Sequence, residues 1–138
     1  MLTFMLDTNI CIEVIRGSSR ELGGRFNGEA ERICISSVTL GELCFGAENS
    51  VRRDANLLSV EHFASRLDCL PFDAAAARHY GMIRADLRRR GVTIGLSDLL
   101  IAAHARSSGL TVVTNNRREF DRVPGLAVED WLADARQG

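Results

Sequence analysis

Three acids interrupt apolar sequence. Asp7 ends the run Leu2–Leu6 and is followed by Thr8 and Asn9, Glu42 lies inside ISSVTLGELCFGAE (35–48), and Asp98 stands between Ser97 and LLIAAHA. Each has an ordinary explanation. Asp7 can cap the helix that ICIEVIR suggests, ThrxxGlu at 39–42 matches a capping box, and Asp98 suits the first turn of a helix, where a negative charge favours the dipole. Taken together they are carboxylates at helix starts, which would repel one another if the fold gathered them unless a cation lay between. Oxygen-only ligation selects a hard ion, Mg²⁺ or Mn²⁺. A fourth polar stretch, VTNNRREFD (113–121), carries Thr114, Asn115, Asn116, Arg117, Arg118 and Glu119. It reads equally as the edge of a site or as an Asn-rich turn.

Whether these groups meet depends on the elements that carry them. Strand patterns occur at LTFML (2–6), ICIS (33–36), CLPF (69–72), TVVT (111–114) and, more weakly, LAVE (126–129). Helical patterns lie between them, at 10–16, 37–48, 51–67, 73–91 and 96–109. The helix over 73–91 has both ends marked, by Asp73 and Gly91. This alternation predicts an α/β fold: one domain over 1–138, with a core of about 2–132 and a five-stranded, mostly parallel sheet with helices on both faces. Polar groups after the first strand and after TVVT would face each other if those strands are neighbours at a topological switch point. The segment 16–25, with Gly17, Gly23 and Gly24, reads as a mobile loop, and residues 135–138 are expected to fray.

Composition narrows the function. With 138 residues, 46% apolar and 25% charged, the chain has material for an ordinary core, and a net charge of −1 provides no global field for a polyanion. Nucleic acid would have to be held by local patches such as Arg84, Arg88, Arg89 and Arg90, a run that also suits a solvated helix end. All 17 basic residues are arginine, a pattern better explained by codon bias than by phosphate contact. Cys11, Cys34, Cys44 and Cys69 form no CxxC pair and read as small buried groups, not as a zinc or disulfide framework. His62, His79 and His104 lack ligand spacing and read as structural. With no signal-like N-terminus and no apolar run near ~20 residues, a cytoplasmic protein is expected, with no membrane partner.

In this order, FMLDTN (4–9), ISSVTLGEL (35–43), SDLLIAAHA (97–105) and VTNNRREFDRVPGL (113–126) resemble the PIN domain, and specifically the VapC toxins of VapBC toxin–antitoxin pairs. The resemblance runs from about residue 2 to Trp131. It implies a five-stranded parallel sheet and RNA cleavage with Mg²⁺, or Mn²⁺ in its place. It puts metal-holding acids at Asp7, Glu42 and Asp98. Many PIN domains carry a further aspartate two residues after the threonine that ends the fourth strand. Here that position is Asn116, and Glu119, one helical turn on, is the candidate replacement in the catalytic set. Thr8, Asn9 and Thr114 match polar positions lining the family's cleft, and Asn115, Asn116, Arg117 and Arg118 join them as candidate substrate contacts. Also implied are structured RNA, often tRNA, as substrate, a homodimer, and a VapB-type antitoxin. With that antitoxin a higher assembly forms, and operator DNA is reached only through it. The helices at 37–48 and 51–67 could offer it a groove through Leu43, Phe45, Leu57, Leu58 and Phe63, although most of these suit a core.

Rival readings fit less well. A haloacid dehalogenase-type phosphatase needs a second aspartate where Asn9 stands, and a receiver domain needs a lysine that the chain lacks. A PIN-like module without catalysis, binding only RNA or protein, is kept open by Asn116.

Overall fold

The computed structural model describes residues 1–133. Its centre is a five-stranded sheet of β1 (Phe4–Leu6), β2 (Ile33–Ser36), β3 (Asp68–Leu70), β4 (Thr111–Val113) and β5 (Val128–Glu129), in the order β3-β2-β1-β4-β5. All four pairings are parallel, so the sheet is wholly parallel where a mostly parallel one was expected. Among the described residues these helices connect and cover it: α1 (Thr8–Arg16), α2 (Arg20–Gly28), α3 (Ser37–Glu48), α4 (Arg53–Ala64), α5 (Ala74–Arg89), α6 (Leu96–Ser107) and α7 (Arg117–Phe120).

The two faces of the sheet are read directly from the period of two along its central strands. Phe4 and Leu6, Ile33 and Ile35, and Val113 point into one core with Leu22, Phe26, Leu43 and Phe63. Met5, Cys34 and Val112 point into the other, with Ile83, Leu87 and the alanine-rich face of α6. Strands buried on both faces must be apolar throughout, and β1 and β2 are buried at every position.

Where sequence patterns misled, local chemistry explains the outcome. The segment expected to be a mobile loop contains α2, whose N-cap Ser19 accepts from the Leu22 N–H at 3.1 Å. Leu22 and Phe26, four residues apart, are both buried, and Phe26 stacks on Phe63 at 5.6 Å. Tertiary burial outweighs the helix cost of Gly23 and Gly24. The capping box at 39–42 does not form, because α3 is capped three residues earlier, by Ser36, whose hydroxyl accepts from the Val38 N–H. Thr39 and Glu42 therefore lie inside the helix. Asp73 and Gly91 bound α5 as expected, Gly91 with a φ of 69°. Of the cysteines, Cys11 and Cys34 are buried, Cys44 is half-buried, and Cys69 is exposed on the edge strand β3. No helix among the described residues is long and apolar enough to cross a membrane. The expected fraying of 135–138 lies outside the described residues.

Candidate active site

β1 pairs with both β2 and β4, so the chain's direction of progress reverses between β1 and β4, and loops diverge there at the carboxyl edge. Asp7 sits at this point. Its backbone N–H bonds the Val113 carbonyl at 3.0 Å, and its Oδ1 caps α1 by accepting from the Ile10 N–H at 2.9 Å. The capping reading of Asp7 is thus correct as far as it goes. What it omits is the company: burial first, then the charges of Asp98 and Glu42, push the carboxyl up to about 6 against a partial offset from the Thr114 hydroxyl and the Ile10 N–H.

Asp98, in the first turn of α6, is raised by burial, then by the charges of Glu119 and Glu42, while the Asn116 amide donates to its Oδ2 at 3.4 Å and opposes this. Glu42 is half-buried in the second turn of α3 and accepts the Thr8 hydroxyl at 2.5 Å. Thr8 also reaches the wholly buried Thr39 at 3.4 Å. Glu119, on α7, keeps its Oε2 buried with no hydrogen-bond partner. Four acids from four segments therefore feel one another across one cleft. The rim carries Asn9, Asn115, Arg117 and Arg118, all exposed, with Arg117 paired to Asp121 at 3.1 Å. Asn116 turns inward: its N–H donates to the Thr114 hydroxyl at 2.8 Å.

Below the cleft lies a contact that strand and helix patterns did not reveal. His104 Nδ1 and the Ser36 hydroxyl bond at 2.8 Å, both buried. The pair ties α6, which carries Asp98, to the start of α3, which carries Glu42. A lone imidazole within LLIAAHA was the available signal. Burial lowers the His104 pKa from 6.5 against an opposing pull from Asp73. The folded state therefore favours neutral imidazole, and the stability this contributes is present above 6.5 and lost as pH falls below it. We expect wild type to lose more stability than His104→Asn between pH 8 and 5.5 in urea titrations; equal losses would contradict this.

The PIN domain family model matches residues 4–126. The chain is 56% identical to the tRNA(fMet)-specific endonuclease VapC of Shigella flexneri, over 95% of this chain and 99% of that one. It is 48% identical to ribonuclease VapC2 of Haemophilus influenzae, over 96% and 100%. The chain belongs to the PIN-domain family, among the VapC ribonucleases. The crystal structure of DNA-bound VapBC from Salmonella typhimurium superposes with a TM-score of 0.92 at 53% identity, covering 95% of this chain and 99% of that one.

VapC nucleases of the PIN family depend on a divalent metal, and the donors here suit a hard one. All are carboxylate oxygens, the charges of the others raise Asp7 and Asp98, and Glu119 holds an unpartnered oxygen in a buried position. Their placement is open: among the described residues no three His, Cys, Asp or Glu side chains lie close enough together to grip one ion. His62, His79 and His104 stand on separate helices; His79 accepts from Arg106 Nε at 3.0 Å. Of the suggested groove residues, Leu43 and Phe63 are core and Leu57 is half-buried, whereas Phe45 and Leu58 are 70% and 71% exposed.

Proposed function

We propose that this chain is the toxin of a VapBC pair, a Mg²⁺-dependent endoribonuclease, with Mn²⁺ as a substitute ion, that cuts tRNA. The observation that carries the reading is the gathering of Asp7, Glu42 and Asp98, with Glu119 beside them, at the switch point of a sheet whose sequence matches VapC along its length. Initiator tRNA is the first substrate to try, since the relative from Shigella flexneri is named for it.

Asp7, Asp98 and Glu42 would hold the ion only by drawing in around it, and it would supply a Lewis acid for the phosphate and make hydroxide available near neutral pH. The protein's own groups prepare the rest. Thr114 and the Ile10 N–H orient Asp7, Thr8 orients Glu42, and Asn116 orients Asp98. Glu119 supplies the charge that Asn116 lacks. Water attacks phosphorus in line, the bond to the 3′ oxygen breaks, and a proton passes to that oxygen, leaving 5′-phosphate and 3′-hydroxyl ends. Asn9, Asn115, Arg117 and Arg118 at the rim, beside Thr8, Thr114 and Asn116, would contact the RNA backbone.

The partners follow the same reading: a homodimer, blocked by a VapB-type antitoxin that carries the complex to operator DNA. A cavity of about 480 Å³ between α1, α3 and α4 runs from Ile12 and Leu43 to Glu42, a path by which an apolar antitoxin segment could reach the acids. Exposed Phe45 and Leu58 would border it.

The test is incubation of the antitoxin-free protein with initiator and elongator tRNA in Mg²⁺, with EDTA and Asp98→Asn as controls. Cleavage leaving 5′-phosphates, reduced at least about a thousandfold in both controls, is expected from loss of a charged catalytic group. Cleavage that survives both would refute the metal mechanism, and no cleavage of any RNA would favour the module that only binds.

A further inference from the structure

Beside the first turn of α6 lies a cavity of about 550 Å³, formed where α5 turns through residues 91–95 into α6. Leu96 and Leu99, which line it, flank Asp98 in sequence, so cavity and cleft share the first turn of α6. Its floor is apolar, from Leu87 and Leu99. One wall is Tyr80, whose hydroxyl accepts from Arg84 Nη1 at 2.6 Å. The rim is braced: Arg122 donates to the Thr93 carbonyl at 2.7 Å, and Arg90 donates to the Arg122 carbonyl at 2.7 Å.

The charges at the mouth distinguish this cavity from an ordinary surface hollow. Arg90 is neutralised by Asp86. Arg84 and Arg88 are exposed, and among the described residues neither is paired with an acid. Two unneutralised guanidiniums over an apolar, aromatic-walled space make a chemistry suited to one class of ligand: a flat, uncharged ring carried on a phosphate chain.

We propose that this cavity is a nucleotide subsite that takes an unpaired base of the RNA against Tyr80 and the apolar floor, with Arg84 and Arg88 on the flanking phosphates. The proposal rests on the ribonuclease reading and adds to it a preference for RNA with bases free of pairing next to the cut. A base seated here would fix which phosphate lies over Asp98, since the same helical turn bears both.

Binding is measured in Asp98→Asn with EDTA, so that no cutting intervenes, using labelled tRNA and a blunt RNA duplex across a salt series. Arg84→Ala/Arg88→Ala should weaken tRNA binding about tenfold and reduce the slope of log affinity against log salt by about two. Tyr80→Ala should weaken tRNA binding about tenfold and leave the duplex unaffected, Tyr80→Phe should restore it, and Arg53→Ala on the opposite layer should change nothing. Unchanged affinity and slope in the double variant would overturn the subsite. So would sedimentation showing that these substitutions dissociate a dimer while affinity per protomer holds, which would make the cavity a contact between copies. If wild type binds RNA through these residues but cuts none, the subsite stands and the ribonuclease reading fails.

Discussion

Asp7→Asn is expected to melt higher than wild type in EDTA at pH 8 and to cleave no RNA. The carboxyl is only 2% exposed and is held at about 6, chiefly by burial and then by Asp98 and Glu42. Raising it to about 6 from its usual 3.8 corresponds to roughly 3 kcal/mol of destabilisation once it is ionised. An amide of the same shape removes the charge, and its oxygen can still cap α1 at the Ile10 N–H. The sign with pH follows. A carboxyl raised in the folded state contributes stability that is fully present below 3.8 and lost as pH rises through about 6. The advantage of the variant should therefore be largest at pH 8 and fade towards pH 4. Added Mg²⁺ should raise the melting temperature of wild type and leave the variant nearly unmoved. Calorimetry at three pH values, with and without Mg²⁺, reads all of this; a variant less stable than wild type in EDTA at pH 8 would show that Asp7 serves the fold more than the site. On the proposed reading, a carboxylate that serves the chemistry and weakens its own fold is the usual trade between stability and function.

Trp131→Ala should cost about 3–5 kcal/mol, a large share of the stability of a domain this size. Trp131 is 1% exposed and meets the Phe4 ring edge-on at 5.1 Å. Its Nε1 donates to Glu129 at 3.0 Å, the same carboxylate oxygen that pairs with Arg25 at 3.1 Å, and the Arg25 guanidinium lies 4.5 Å from the indole centre. One side chain thus joins the end of the described chain to β1, β5 and α2. Urea unfolding followed by far-UV circular dichroism is the measurement, because the substitution removes the only tryptophan. Trp131→Phe should recover much of the loss. A cost below about 1 kcal/mol would mean that residues beyond β5 are not part of the cooperative core.

The sequence by itself determined the strands, their alternation with the longer helices and the acids to consider, because each rests on local regularity. Runs such as FML and ICIS cannot be solvated, Asp73 and Gly91 mark helix ends by their own backbone chemistry, and FMLDTN with SDLLIAAHA carries a family pattern. Tertiary structure decided what local regularity does not encode. Gly23 and Gly24 hide α2, because its helix is held by Leu22 and Phe26 packing against Phe63 from another helix. Glu42 looks like half of a capping box until Ser36 caps α3 three residues early and Thr8, 34 residues away in sequence, donates to the carboxylate instead. The neighbouring of β1 and β4, the imidazole–hydroxyl bond between His104 and Ser36, and the mutual charge of Asp7, Asp98, Glu42 and Glu119 all join residues far apart in the chain. Spacing shows which residues can do chemistry; only the crossover between β3 and β4 brings their charges close enough to perturb one another.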